Sequence, residues 1–310
     1  MLLGGRIVTD LAAILAQIIH SALMLAAAPV VTALREGFAA RLAGRTGPDL
    51  RQPWRDLRRL ARKHPALAET ATPLSRTAPV ACFATAVVAA ALVPSFTLGM
   101  AFDGFSDLLV VAGLLATSRI VVALAALEAG TAPAGLAAGR AARLACLAEP
   151  TLYLAILAFG ALGGTTNLAS LFWLQLQGML QPVAAGILAV AALALMALAG
   201  CAETGLTTEV SGADLALVQL AEALRHLTWL SLVAGLLFPL GMAEPGGGAL
   251  AWIVGLIAWG AKVLVATACL AALRASFGGI RPSRRPLALG IAAILGVLAA
   301  MLVLASAVAA

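Results

Sequence analysis

Eight apolar stretches, at about residues 8–34, 78–102, 107–129, 144–164, 181–202, 223–242, 250–273 and 286–308, decide what this chain can fold into. A helix needs about 20 apolar residues to cross the hydrocarbon core of a bilayer, and each stretch reaches that length. The runs are continuous and rich in Ala and Leu. They lack the period-two alternation of barrel strands. Hydrophobic residues make up 62% of the 310 and charged residues only 11%, which is more apolar surface than a soluble domain of this length can hide. The expected fold is all-α, an integral membrane bundle of eight transmembrane helices, with residues 1–310 as a single membrane domain. The first stretch is longer than the apolar region of a signal peptide and leads to no small-residue cleavage site, so it is expected to remain as the first helix.

The 20 Lys and Arg residues are sorted by side. Ten lie between the first and second stretches, two (Arg140, Arg143) between the third and fourth, one (Arg225) at the start of the sixth, and four (Arg274, Arg281, Arg284, Arg285) after the seventh. The even-numbered connections carry none. The positive-inside rule then makes the odd connections cytoplasmic, puts both termini outside, and predicts a multi-pass protein of the cell (inner) membrane. The net charge of +6 follows from this topology and is no sign of nucleic-acid binding. Cys82, Cys146, Cys201 and Cys269 are isolated in apolar surroundings, and only three His are present. Local spacing therefore builds no zinc, haem or iron–sulfur site. No cofactor is expected in this chain, and any redox metals would belong to partner subunits.

The connection over 35–77 is the longest and most patterned. Gly47-Pro48 breaks it, and Pro53 can open a helix. Trp54, Leu57, Leu60 and Ala61 then recur on one face, while Arg55, Arg58, Arg59, Arg62 and Lys63 fill the other positions. This predicts an amphipathic helix lying in the lipid headgroup layer or beneath a partner protein. The connection before the fourth stretch, GTAPAGLAAGRAAR, is expected to be a flexible surface turn. The one at about 203–222 is the acidic inner segment, with Glu203, Glu209, Asp214 and Glu222. No internal repeat is evident, which argues against an inverted-repeat transporter.

Ionisable groups at membrane depth are costly unless paired or hydrated, so each is a functional candidate. Arg119 and Lys262 lie near the middle of the third and seventh helices. Glu149 lies one to two turns below the inner face, and Glu128 and Glu203 close the third and fifth helices there. Arg119 and Glu128 project from opposite faces of one helix, so each needs a partner elsewhere. Glu149 precedes Pro150, whose missing N–H frees a carbonyl that water can meet. These five residues are the candidate proton path; fixed ion pairs that hold the bundle in register are the competing reading.

Four segments together resemble the complex I subunit 1 (H-type) family, which includes the membrane anchors of group 4 [NiFe] hydrogenases and formate hydrogenlyase. They are RLAGRTGPDLRQPWRDLRRLARK, EAGTAPAGLAAGRAARLACLAEP, AETGLTTEVSGADLALVQLAEAL, and Lys262 on the penultimate helix. In the first, Arg41, Arg45, Gly47, Pro48, Gln52, Pro53, Asp56 and Lys63 carry the likeness. The resemblance implies a cofactor-free anchor that docks peripheral subunits through Arg41, Arg45, Gln52, Arg55, Asp56, Arg59, Lys63 and Arg140. The implied partners are a [NiFe]-hydrogenase-like large subunit with its [NiFe] centre, an iron–sulfur small subunit with its clusters, antiporter-like membrane subunits, and the lipid bilayer. The chain itself would be a non-catalytic subunit of an oxidoreductase complex. The loop after Glu203 is shorter than the family's, and Arg274 stands where the family often has an acid. Both departures weigh against efficient proton coupling and against quinone reduction. The alternatives are a quinone-site subunit of a complex I relative and a stand-alone secondary transporter.

Overall fold

A computed structural model describes residues 2–66, 71–179, 186–187, 189–191, 207–244, 247–276 and 285–309. Helix α1, Leu2–Leu42, has 41 residues; at 1.5 Å per residue it is about 60 Å long and outruns the roughly 30 Å hydrocarbon core. Helix α2 is Gln52–Ala61, with Pro53 in its first turn. Helix α3, Pro73–Leu92, begins where the Thr72 hydroxyl accepts from Leu74 N. Helix α4, Leu108–Glu128, is capped in the same way by Asp107. Helix α5 is Ala132–Gly163, helix α6 is the short Leu168–Leu176 capped by Asn167, and helix α7 is Gly212–Leu237. Helices α8, Ala249–Ser276, and α9, Arg285–Ala309, complete the order.

Among the described residues, seven helices (α1, α3, α4, α5, α7, α8 and α9) are long and apolar enough to cross a membrane. The stretch at 181–202, expected as a further span, lies largely outside the described residues, although Ala189 and Val190 are buried in the core shared by α4, α5, α6 and α9. The expected turn before the fourth span is instead the first part of α5. Ala134, Ala137 and Ala138 recur at helical spacing and are buried, so the helix-forming alanines and their packing override Gly135 and Gly139, while Pro133 lies in the first turn, where proline fits. The second half of the acidic connection is likewise helical, and places Asp214 and Glu222 on α7.

Helix α3 packs on α4 and α7 through Ala78, Cys82, Ala86, Ala89 and Ala90, small residues that let helix backbones approach in a membrane. It ends early, at Leu92, and residues 93–100 continue as irregular but mostly buried backbone. Such backbone is tolerated at membrane depth only where every polar group finds a partner. Here α1, Ser106 and Ala243 supply them, to the last carbonyls of α3 and to the segment after it. Gln17 Nε2 donates to Ala91 O at 3.0 Å, and His20 Nε2 donates to Ala90 O at 3.0 Å. The Ser106 hydroxyl takes Leu92 O. With Nε2 donating, His20 Nδ1 accepts from the Ser95 hydroxyl at 2.7 Å. Further along, Leu98 N donates to Ala243 O and Ala243 N to Phe96 O, both at 2.9 Å. Helix α8 closes over this segment at Gly255, where a Cβ would lie 2.1 Å from Phe96 O. The end of the bundle opposite the arginines is thus a hydrogen-bonded plug of non-helical chain.

Candidate functional site: a basic end face above a row of half-buried charges

The face begins with α2. None of its residues is buried, and it rests against α7 and the end of α1. Arg41, Arg45, Gln52, Arg55, Arg59 and Lys63 are exposed, Asp56 is half-buried, and Arg140 is exposed on α5. Two ion pairs brace the surface, Arg55–Asp49 at 2.6 Å and Arg59–Asp56 at 3.5 Å. Arg41, Arg45, Arg51, Arg58 and Arg62 have no ion-pair partner among the described residues. Exposed pairs of this kind contribute little to stability, so the cluster is not explained by the fold alone.

The loop after α2 is stitched to the start of α7. Ala213 N donates to Lys63 O at 3.2 Å, and Ala66 N to the Ser211 hydroxyl at 2.8 Å. Between them Gly212 adopts φ +60°, and a Cβ there would lie 2.6 Å from His64 O. Only glycine fits both the left-handed backbone and the close approach. Across the face, Glu128 clasps the start of α3, accepting from Thr72 N at 2.8 Å and from the Ser75 hydroxyl at 2.7 Å. Glu209 accepts from the Thr131 hydroxyl at 2.7 Å.

Under this clasp lies a cavity of about 160 Å³, bounded by Ala66, Ser75, Glu128, Glu209, Asp214 and Val218, among others. It has room for several waters and the polar partners to hold them. Asp214, Val218, Glu222 and Arg225 follow one another along a face of α7, so the cavity stands at the head of a charged strip.

That strip joins charges from four helices. Glu222 and Arg225 lie 3.8 Å apart, with side chains 26% and 13% exposed. Glu222 also feels Arg35 of α1. Arg119 of α4 is within electrostatic reach of Arg225 and of Glu149 on α5. Cys82, hydrogen-bonded to Ser118 at 3.3 Å, flanks the Glu222–Arg225 pair. The row therefore runs Arg35, Glu222, Arg225, Arg119, Glu149. Because arginine stays charged, the groups in it able to exchange a proton are the two glutamates.

Of the five candidates from the sequence, Arg119 and Glu149 are brought together. Glu128 sits above the row as a clasp for α3, and Glu203 lies outside the described residues. Lys262 stands apart, donating to Phe238 O at 3.0 Å and Leu240 O at 3.1 Å where α7 ends. Arg35, Glu222 and Arg225 are the members that sequence reasoning did not single out. The Glu222-x-x-Arg225 spacing was the available signal, hidden while Glu222 was read as part of a loop. Among the described residues no group of three or more His, Cys, Asp and Glu is placed to hold a metal ion.

Residues 14–306 match the family described as NADH dehydrogenase. Among characterised proteins the chain is similar to hydrogenase-4 component C of Escherichia coli, 26% identical over 246 residues that cover 73% of this chain and 75% of that one. It is also similar to formate hydrogenlyase subunit 4 of the same organism, 25% identical over 276 residues, covering 81% and 87%. Its fold resembles a chain of the archaeal membrane-bound sulfane sulfur reductase, a respiratory membrane complex. The TM-score is 0.77 at 17% identity, covering 93% of this chain and 98% of that one.

Proposed function

The chain belongs to the NADH dehydrogenase family, and from that membership we propose that it is the membrane-anchor and proton-coupling subunit of a membrane-bound [NiFe] hydrogenase complex of the formate-hydrogenlyase kind. The basic end face is cytoplasmic and seats the peripheral redox subunits. A hydrogenase-like large subunit and an iron–sulfur small subunit bring the metals, and antiporter-like membrane subunits receive the coupled charge. The observation that carries this reading is the exposed cluster of arginines on and around α2 and at the end of α1, of which Arg41, Arg45, Arg51, Arg58 and Arg62 have no ion-pair partner among the described residues. Likeness to hydrogenase-4 component C and to formate hydrogenlyase subunit 4 supports it.

Coupling runs through the row beneath. A charge change in a docked subunit shifts the local potential at the cavity mouth. Glu222 and Glu149, each beside an arginine, respond by taking or releasing a proton.

Changing Arg45, Arg55 and Arg59 together to Glu tests the anchoring. The peripheral subunits should be lost on purification in mild detergent while the chain stays inserted, and an intact complex would refute the docking assignment. One observation favours a quinone-site subunit as the second reading: the cavity lies between the first loop and the start of α7, where a headgroup would bind. Co-purified quinone without a nickel-bearing subunit would select it.

A further inference from the structure

Lys262 lies near the midpoint of α8, about 20 Å from either end at 1.5 Å per residue. Two of its three N–H groups go to the carbonyls of Phe238 and Leu240. The third has no acceptor, and no acid lies within electrostatic reach of the ammonium, among the described residues. The sequence reinforces this, because the stretches 223–242 and 250–273 contain no Asp or Glu. Glu149 of α5 lies within electrostatic reach of Arg119. Charged side chains at this depth pair with one another or with backbone carbonyls; Lys262 has the carbonyls, and among the described residues it has no countercharge.

Beside Lys262, α7 and α8 border a groove of about 440 Å³ with an apolar wall, to which Lys262 contributes its carbon stem while its ammonium turns to the carbonyls of Phe238 and Leu240. Trp229, Val233, Leu237, Val265, Cys269 and Lys262 itself form much of it. Leu237 and Val265 are 39% and 61% exposed, so the groove opens sideways.

We propose that this groove seats a transmembrane helix of a neighbouring membrane subunit, and that the helix brings an acidic side chain to Lys262. Apolar side chains of such a helix fill the groove, and its carboxylate supplies the acceptor and the charge that this chain lacks. A lipid acyl chain fills the space equally well but leaves the ammonium uncompensated. A second copy of the chain brings another lysine to the same seat and adds repulsion. The inference rests on the reading of the protein as one subunit of a membrane complex, and identifies where its membrane partner sits.

Cys269 gives a direct test in the intact complex. With Cys82, Cys146 and Cys201 replaced by Ala, a photoreactive maleimide on Cys269 should cross-link to a transmembrane peptide of one integral membrane subunit, with an Asp or Glu within a turn or two of the cross-linked residue. Lys262→Met should lower retention of that subunit at least about tenfold, as expected for breaking a desolvated charge pair. Lys262→Arg should retain it. Lys262→Glu combined with the partner's acid changed to Lys should restore it. Adducts to lipid alone, to a second copy, or to a segment without an acid would overturn the proposal, as would unchanged retention in Lys262→Met. Peripheral subunits that stay bound in Lys262→Met show that the chain is folded. Their loss in the arginine variants with the Cys269 cross-link intact separates the two seats.

Discussion

Glu222 pairs with Arg225, and Glu149 lies within reach of Arg119. Glu149 precedes Pro150, whose missing N–H leaves the carbonyl of Cys146 without a helical donor. Glu149→Gln should therefore reduce proton-coupled output, measured as fluorescence quenching in proteoliposomes of the whole complex, without loss of subunits. Unchanged quenching would return Glu149 to a packing role. At the opposite end Asp103 accepts from Gly99 N at 2.5 Å and Met100 N at 3.0 Å, and burial pushes its carboxyl above the usual carboxylate range despite those bonds. The folded state then binds a proton more tightly than the unfolded one. Stability gained in acid is lost as pH rises through the raised value. Asp103→Asn keeps an acceptor and removes the buried charge, so its melting temperature should exceed that of the native chain at neutral pH and converge with it in acid. His20→Ala should be severe for a different reason. It strands Ala90 O and the Ser95 hydroxyl in a dry interior, at about 1–3 kcal/mol for each group left unpaired, and thermal unfolding in detergent would show it.

At the scale of elements, α2 was legible because its pattern is local. Pro53 opens it, arginines alternate with apolar residues at helical spacing, and the structure places the helix at Gln52–Ala61. The start of α5 was misread as a turn because Gly and Pro are local signals of breakage. The burial of Ala134, Ala137 and Ala138, which keeps that segment helical, depends on partners distant in the chain. Helix α7 posed the same problem, since its polar first turns resemble a loop until α2 and the loop after it are docked against them. Gly212→Ala tests that joint. It forces a left-handed Ala toward His64 O, and should cost about 1–3 kcal/mol of local stability, seen as faster protease cleavage after Arg62 or Lys63. Equal cleavage of both forms would mean that the joint does not hold the loop.

For the whole molecule, the bundle is asymmetric along its axis. One end carries the arginines, the cavity and the head of the charged row. The other is closed by irregular chain held by hydrogen bonds to α1 and to Ala243. Hydrogen exchange should find the amides of Leu98 and Ala243 as protected as those of helix interiors, although neither is helical, and rapid exchange there would show that the plug is open. The sequence by itself determined the membrane class, the helical character and the separation of basic from neutral connections, because each follows from solvation of the chain's own residues, one segment at a time. Only the tertiary structure decided that Arg35, Glu222, Arg225, Arg119 and Glu149 form one row, that α1 caps the broken end of α3, and that Lys262 is left without an acid. Those facts depend on which helix faces are turned toward one another. Periodicity shows that a helix has an apolar face but does not identify the neighbour packed against it, and charges far apart in sequence meet only once that packing is set.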